Sequence, residues 1–118
     1  MGRLTTHVLD TSRGSPAAGV RIDLSAIDDE GRARLLATVH TNRDGRTEQP
    51  LLEGAACAVG RYELAFHVGT YFASRGMEIA DPPFLDVVPL RFAIADINAH
   101  YHVPLLVTPW SYSTYRGS

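Results

Sequence analysis

Two histidines, His100 and His102, stand two residues apart in "HYHVPLLV". Successive side chains of a strand point to opposite faces, so both imidazoles share one face and Tyr101 takes the other. Imidazoles so placed can accept protons near neutral pH, hold a metal ion, or simply be hydrogen-bonded strand residues. His7, in "LTTHVLD", falls on the face opposite Leu4, Thr6 and Val8. It joins the other two only if the strands that carry them adjoin. His40 and His67 fall at strand ends or on polar faces and show no such grouping.

Other chemistries find less support. A catalytic zinc site wants three protein ligands. His7, His100 and His102 would supply them, yet no cysteine or nearby carboxylate completes a familiar set, and His-x-His alone is a weak pattern. No G-x-S-x-G elbow is present, and neither Ser113 nor Ser118 has a base beside it in sequence. Cys57, in the small-residue run "GAACAVG", reads as a packed or loop thiol, without the activating surroundings a nucleophile needs. Arg46 closes the turn "NRDGR" and, taken alone, is a solvated arginine.

The elements that must carry these residues are mostly strands. "VRIDLSAI" (20–27) alternates Val20, Ile22, Leu24 and Ala26 against Arg21, Asp23 and Ser25, the period of a half-buried strand. "RYELAFHV" (61–68) repeats the pattern with Tyr62, Leu64, Phe66 and Val68 inward, and 4–10 and 34–40 are shorter versions. "SRGSPAAG", "DDEG" and "NRDGR" are turn signals between them. "TYFASRG" (70–76) predicts a two-turn helix that Gly76 can end in a left-handed cap. After the irregular "DPP", residues 84–96 read as a long strand in which Pro89 demands an edge or a bulge. Strands at about 100–107 and 110–117 follow. The expected fold is therefore all-β: a sandwich of seven to eight strands with one short helix.

A chain of 118 residues is expected to form a single domain over 1–118. Its net charge of -2 argues against nucleic acid, which calls for a basic stripe to neutralise phosphates. No stretch approaches the roughly 18 apolar residues of a membrane span. Polar, strand-like sequence begins at Arg3, so no export signal is expected. "MGRLTT" formally fits a myristoylation pattern through Gly2 and Thr6, but reads as an ordinary start into a strand. With one cysteine, nothing requires an oxidising compartment, and the expected location is the cytoplasm.

Taken together, "LTTHVLD", "RGSPAAGV", "TNRDGRT", "YFA" and "HYHVPLLVTPWSYSTYRGS" resemble the transthyretin-like family over essentially the whole chain. The ending Tyr115-Arg116-Gly117-Ser118 marks the family's 5-hydroxyisourate hydrolase branch. The resemblance implies a transthyretin-like sandwich and a homotetramer, a dimer of dimers with sites in the channel between dimers. It implies metal-independent, cofactor-free hydrolysis of 5-hydroxyisourate, in urate degradation. The matching catalytic positions are His7, Arg46 and His102. Substrate contacts fall on His7, Arg46, Tyr115 and Ser118, with Arg116 and Gly117 supporting. His100 is not among the matched positions. Trp110 and Thr108 depart from the residues common there, outside the named positions. A carrier that binds an aromatic ligand in the central channel is the competing reading, and a sandwich interaction module without an active site is a third; fold alone does not choose among them.

Overall fold

The computed structural model describes residues 1–117, so the role expected of Ser118 lies outside the described residues. Among these residues the strands are β1 (Arg3–Asp10), β2 (Ser15–Pro16), β3 (Arg21–Ile27), β4 (Ala33–His40), β5 (Leu52–Glu53), β6 (Gly60–His67), β7 (Val87–Ile94), β8 (His100–Val107) and β9 (Tyr112–Thr114). A single α-helix, α1 (Val68–Ser74), follows β6 directly. The all-β expectation holds, and the count of seven to eight strands is met by seven longer strands with two-residue β2 and β5 added.

The strands form two layers. One sheet runs β2-β1-β8-β9, with β5 also on β1; the other runs β4-β3-β6-β7. Period-two alternation sends Leu4, Val8, Val103, Leu105 and Val107 from the first sheet against Ile22, Leu24, Leu64, Phe66 and Leu90 from the second, and all are buried. Truncating a fully buried aromatic such as Phe66 to alanine would cost about 3–5 kcal/mol.

The boundaries shift in physically readable ways. The helix starts two residues before the predicted 70–76, because buried Val68 continues the inward alternation of β6 while its backbone already turns helical. Gly76 sits beyond the helix at φ 72, the left-handed conformation expected of it. The strand predicted over 84–96 is confined to Val87–Ile94. It is an edge strand that pairs only with β6, so Pro89, opposite Ala65, removes no bond from a central ladder. The terminal strand shrinks from 110–117 to Tyr112–Thr114, and Gly117 returns in an isolated bridge to His102.

A buried polar tie joins helix to sheet. Asp10, at the end of β1, is fully buried, and its Oδ2 accepts the Tyr71 hydroxyl at 2.8 Å while Oδ1 accepts the Ser12 amide at 3.1 Å. A buried carboxylate needs such donors. Burial, and then Asp10 itself, push the Tyr71 phenol pKa upward, so it remains a donor.

Candidate active site

The first sheet has one parallel ladder, and it carries the histidines. β1 and β8 run side by side with Leu4 opposite Tyr101, Thr5 opposite His102 and His7 opposite Pro104. Leu4, Thr6, Val8, Tyr101 and Val103 point to the core, which leaves Thr5, His7, His100 and His102 on the outer face, each partly buried. The adjacency that the sequence left conditional is thus realised.

A turn is stitched onto the same face. Asn42 folds 42–46 back on itself: its amide donates to the Arg46 carbonyl at 2.7 Å, and its side-chain Oδ1 accepts the amides of Asp44 and Arg46 at 2.9 and 3.2 Å. Gly45 then presents its carbonyl to the Val8 amide at 2.8 Å. Here glycine is required twice over. Its φ is 74, and a β-carbon would fall 2.4 Å from the Val8 carbonyl oxygen. This docking holds Arg46 beside β1, next to His7.

Arg46, Thr5, His100 and His102, with Arg3 and Glu48, line a cavity of about 420 Å³. Its central contact is a hydroxyl between two rings: Thr5 Oγ1 lies 2.8 Å from His100 Nε2 and 2.8 Å from His102 Nδ1. The ring centroids are 6.2 Å apart. Burial, and then the Arg46 guanidinium, hold the His102 pKa below its ordinary value, with smaller pushes from His100 and His7. His7 is also held down, by burial and then Arg46, against hydrogen bonding to the Asp44 backbone. Two imidazoles are thereby kept neutral beside a permanent cation, an arrangement suited to proton acceptance next to a developing anion. Among the described residues, no three His, Cys, Asp or Glu side chains cluster as a metal ion would need.

The terminal residues divide between two faces. The Gly117 amide donates to the His102 carbonyl at 2.7 Å, tying the chain end to β8 at the histidine itself. The Arg116 guanidinium stacks 4.1 Å over the Tyr101 ring and donates to the His100 carbonyl at 3.5 Å. Tyr115, by contrast, is 61% exposed and lines a separate cavity of about 510 Å³ with Phe92, Tyr101 and Val103. Within one chain, therefore, Tyr115 does not reach the histidine cavity.

Two features escaped sequence reading. Thr5 was a visible candidate, since alternation puts it on the face of His7, but its partners lie 95 and 97 residues away. His67 is not isolated: its Nε2 pairs with Asp23 Oδ2 at 3.0 Å. Burial works against the Asp23 charge, but hydrogen bonds from Thr38, His67 and Arg21 outweigh it and lower the carboxyl pKa to about 2. Cys57 is buried, and burial pushes its thiol pKa up, which suits a packing role.

Two antiparallel-rich sheets, one short helix and a histidine-bearing outer face define the class. The HIUase/Transthyretin family model matches residues 4–117, and the chain belongs to that family. Named relatives narrow the likeness. The 5-hydroxyisourate hydrolase 2 of Rhizobium meliloti (strain 1021) is 61% identical, across 99% of this chain and 97% of its own. The 5-hydroxyisourate hydrolase of Ralstonia nicotianae (strain ATCC BAA-1114 / GMI1000) is 60% identical, with 100% of each chain covered. The solved structure of Klebsiella pneumoniae 5-hydroxyisourate hydrolase matches with a TM-score of 0.79 and 38% identity, again covering 100% of both chains.

Proposed function

We propose that the chain, acting as one domain over 1–118, hydrolyses 5-hydroxyisourate to 2-oxo-4-hydroxy-4-carboxy-5-ureidoimidazoline. The observation that carries this reading is the shared cavity of Arg46 and His102, in a chain whose relatives are named for that activity.

The chemistry follows from the geometry. Water adds to a ring amide carbonyl while His102 Nε2, the nitrogen not engaged by Thr5, takes its proton. Arg46 supplies fixed N–H donors to the oxyanion that forms. The tetrahedral centre then expels the ring nitrogen, which takes the proton back from the imidazolium, and the ring opens. His7, beside Arg46, orients the water. Tyr115 and Ser118 contact substrate, Tyr115 from a second copy of the chain because it lines a separate cavity of its own, and Arg116 and Gly117 hold the tail against β8. No covalent intermediate, metal or cofactor enters the scheme.

We further propose a homotetramer, a dimer of dimers. The histidine cavity opens on the outer face of the first sheet, and a second copy laid across it would shield the cavity from bulk solvent and build the channel. Exposed Tyr115 is free to contact such a copy. A monomer in size-exclusion chromatography would remove this part of the proposal. The cytoplasmic location expected from the sequence belongs to the same reading; no helix of the described residues is long and apolar enough to cross a membrane.

The test generates 5-hydroxyisourate in place by oxidising urate and follows its ultraviolet absorbance with and without the protein. Wild type should accelerate the decay, and His102→Ala should lose about 10²–10⁴-fold, the usual contribution of a positioned base. Decay at the spontaneous rate with wild type would overturn the proposal.

A further inference from the structure

The Thr5 hydroxyl occupies an unusual position: it is the only atom placed within hydrogen-bond reach of both imidazoles in the contacts described above, 2.8 Å from His102 Nδ1 and 2.8 Å from His100 Nε2. A hydroxyl has a single hydrogen. It can donate to one neutral ring and must then accept an N–H from the other. The two histidines are therefore locked in opposite senses. If Thr5 donates to His100 Nε2, then His102 carries its hydrogen on Nδ1 and its Nε2 lone pair is bare. If Thr5 donates to His102 Nδ1, then His102 carries its hydrogen on Nε2 and cannot act as a base.

We propose that Thr5 is a positioning residue that sets the His102 tautomer through a hydrogen-bonded chain ending at His100. The working direction runs His102 Nδ1–H to Thr5 Oγ1, and Thr5 O–H to His100 Nε2. His100, which lines the same cavity but is not among the matched catalytic positions, serves as the acceptor that orients the hydroxyl.

Several features hold the hydroxyl in place, and the role of His102 as base selects the direction. Thr5 faces His102 across the parallel ladder, so backbone pairing fixes their separation. The β-branched threonine is stiff at χ1, which limits the hydroxyl to few orientations. The neighbouring Thr6 hydroxyl donates to the Val103 carbonyl at 2.7 Å inside the core, anchoring β1 to β8 at this level. Catalysis also disturbs nothing in the chain. When His102 Nε2 takes a proton from water, Nδ1–H stays on Thr5 and Thr5 O–H stays on His100. The proton leaves again from Nε2 to the departing ring nitrogen, so no net proton moves through Thr5. A third group that fixes the tautomer of a base is a general device, and its loss is costly.

The inference rests on the hydrolase reading for the direction chosen and for its catalytic consequence, but the tautomer itself can be read without substrate. Imidazole nitrogen-15 shifts of the substrate-free protein at pH 8, assigned with His100→Gln and His102→Gln, should show His102 protonated on Nδ1 and His100 on Nδ1. His102 protonated on Nε2 would overturn the proposal whether or not the protein turns over substrate. In turnover, Thr5→Val should lower kcat on the order of 10–100-fold with KM little changed, the loss typical when the orienting partner of a functional histidine is removed. Thr5→Ser, which keeps the hydroxyl, should restore most of that loss. Wild-type kcat in Thr5→Val, or equal losses in both variants, would count against Thr5 as the tautomer-setting group. Absence of turnover in wild type would condemn the hydrolase reading alone, because the nitrogen shifts would still decide the tautomer.

Discussion

Gly117 lies flat against the His102 imidazole: a β-carbon at Gly117 would fall 2.5 Å from His102 Cδ2, while its amide donates to the His102 carbonyl. Contacts that short do not occur, so any side chain there must push the ring or lift the tail. Gly117→Ala should therefore lower kcat by up to about 100-fold, the scale of a 1 Å misplacement, while the thermal midpoint barely moves. Parallel rate and melting measurements check this. Undiminished kcat would mean that the ring has room the structure does not give it.

Arg46 acts on the titration of its neighbours. His7 and His102 are held below 6.5 first by burial and then by this cation. Removing a positive charge makes protonation easier, so in Arg46→Gln the imidazole titrations should move to higher pH. Proton NMR of the ring resonances between pH 4.5 and 8 measures the shift; unmoved or lowered midpoints would contradict it. The same sign governs stability. Below about 6.5 the unfolded chain binds more protons at these positions than the folded one, so stability should fall as pH drops from there through the folded values.

The buried Asp10–Tyr71 pair predicts a stability effect with no catalytic counterpart. Tyr71→Phe keeps the ring but strips Asp10 Oδ2 of its donor. The cost of a buried unsatisfied group is about 1–3 kcal/mol, which urea unfolding should reveal as a lower midpoint. An unchanged midpoint would mean that Asp10 finds another donor.

The sheet layers were legible because their signal is local. In β3 and β6 every second residue is apolar over a full strand, and Pro89 announced its own edge position. Local pattern also misled. Val68 satisfies both the inward rhythm of β6 and the buried face of α1, so alternation alone could not say where the strand stops. Two-residue β2 and β5 are too short to carry any period. At the site, residue types suggested His7, His100 and His102, but the Thr5 link spans 95 residues and depends on a parallel register that no short window encodes. Tyr115 shows the opposite limit. It is adjacent to the tail's anchor in sequence, yet its side chain lines a different cavity, although Thr114 and Gly117 keep one antiparallel register along β8.

The parallel pairing of β1 with β8 also orders events during synthesis. The β4-β3-β6-β7 sheet is built from antiparallel pairs and is complete by Ile94. β1 emerges first from the ribosome but must wait for His100–Val107 before its long ladder can form. Contacts of such sequence separation close late, after the loop entropy has been met. A nascent chain can thus hold one finished layer while His7 and Arg46 still lack the strand that brings His102. The site as proposed is complete only with the last long strand, so a ribosome-stalled intermediate would be chemically silent.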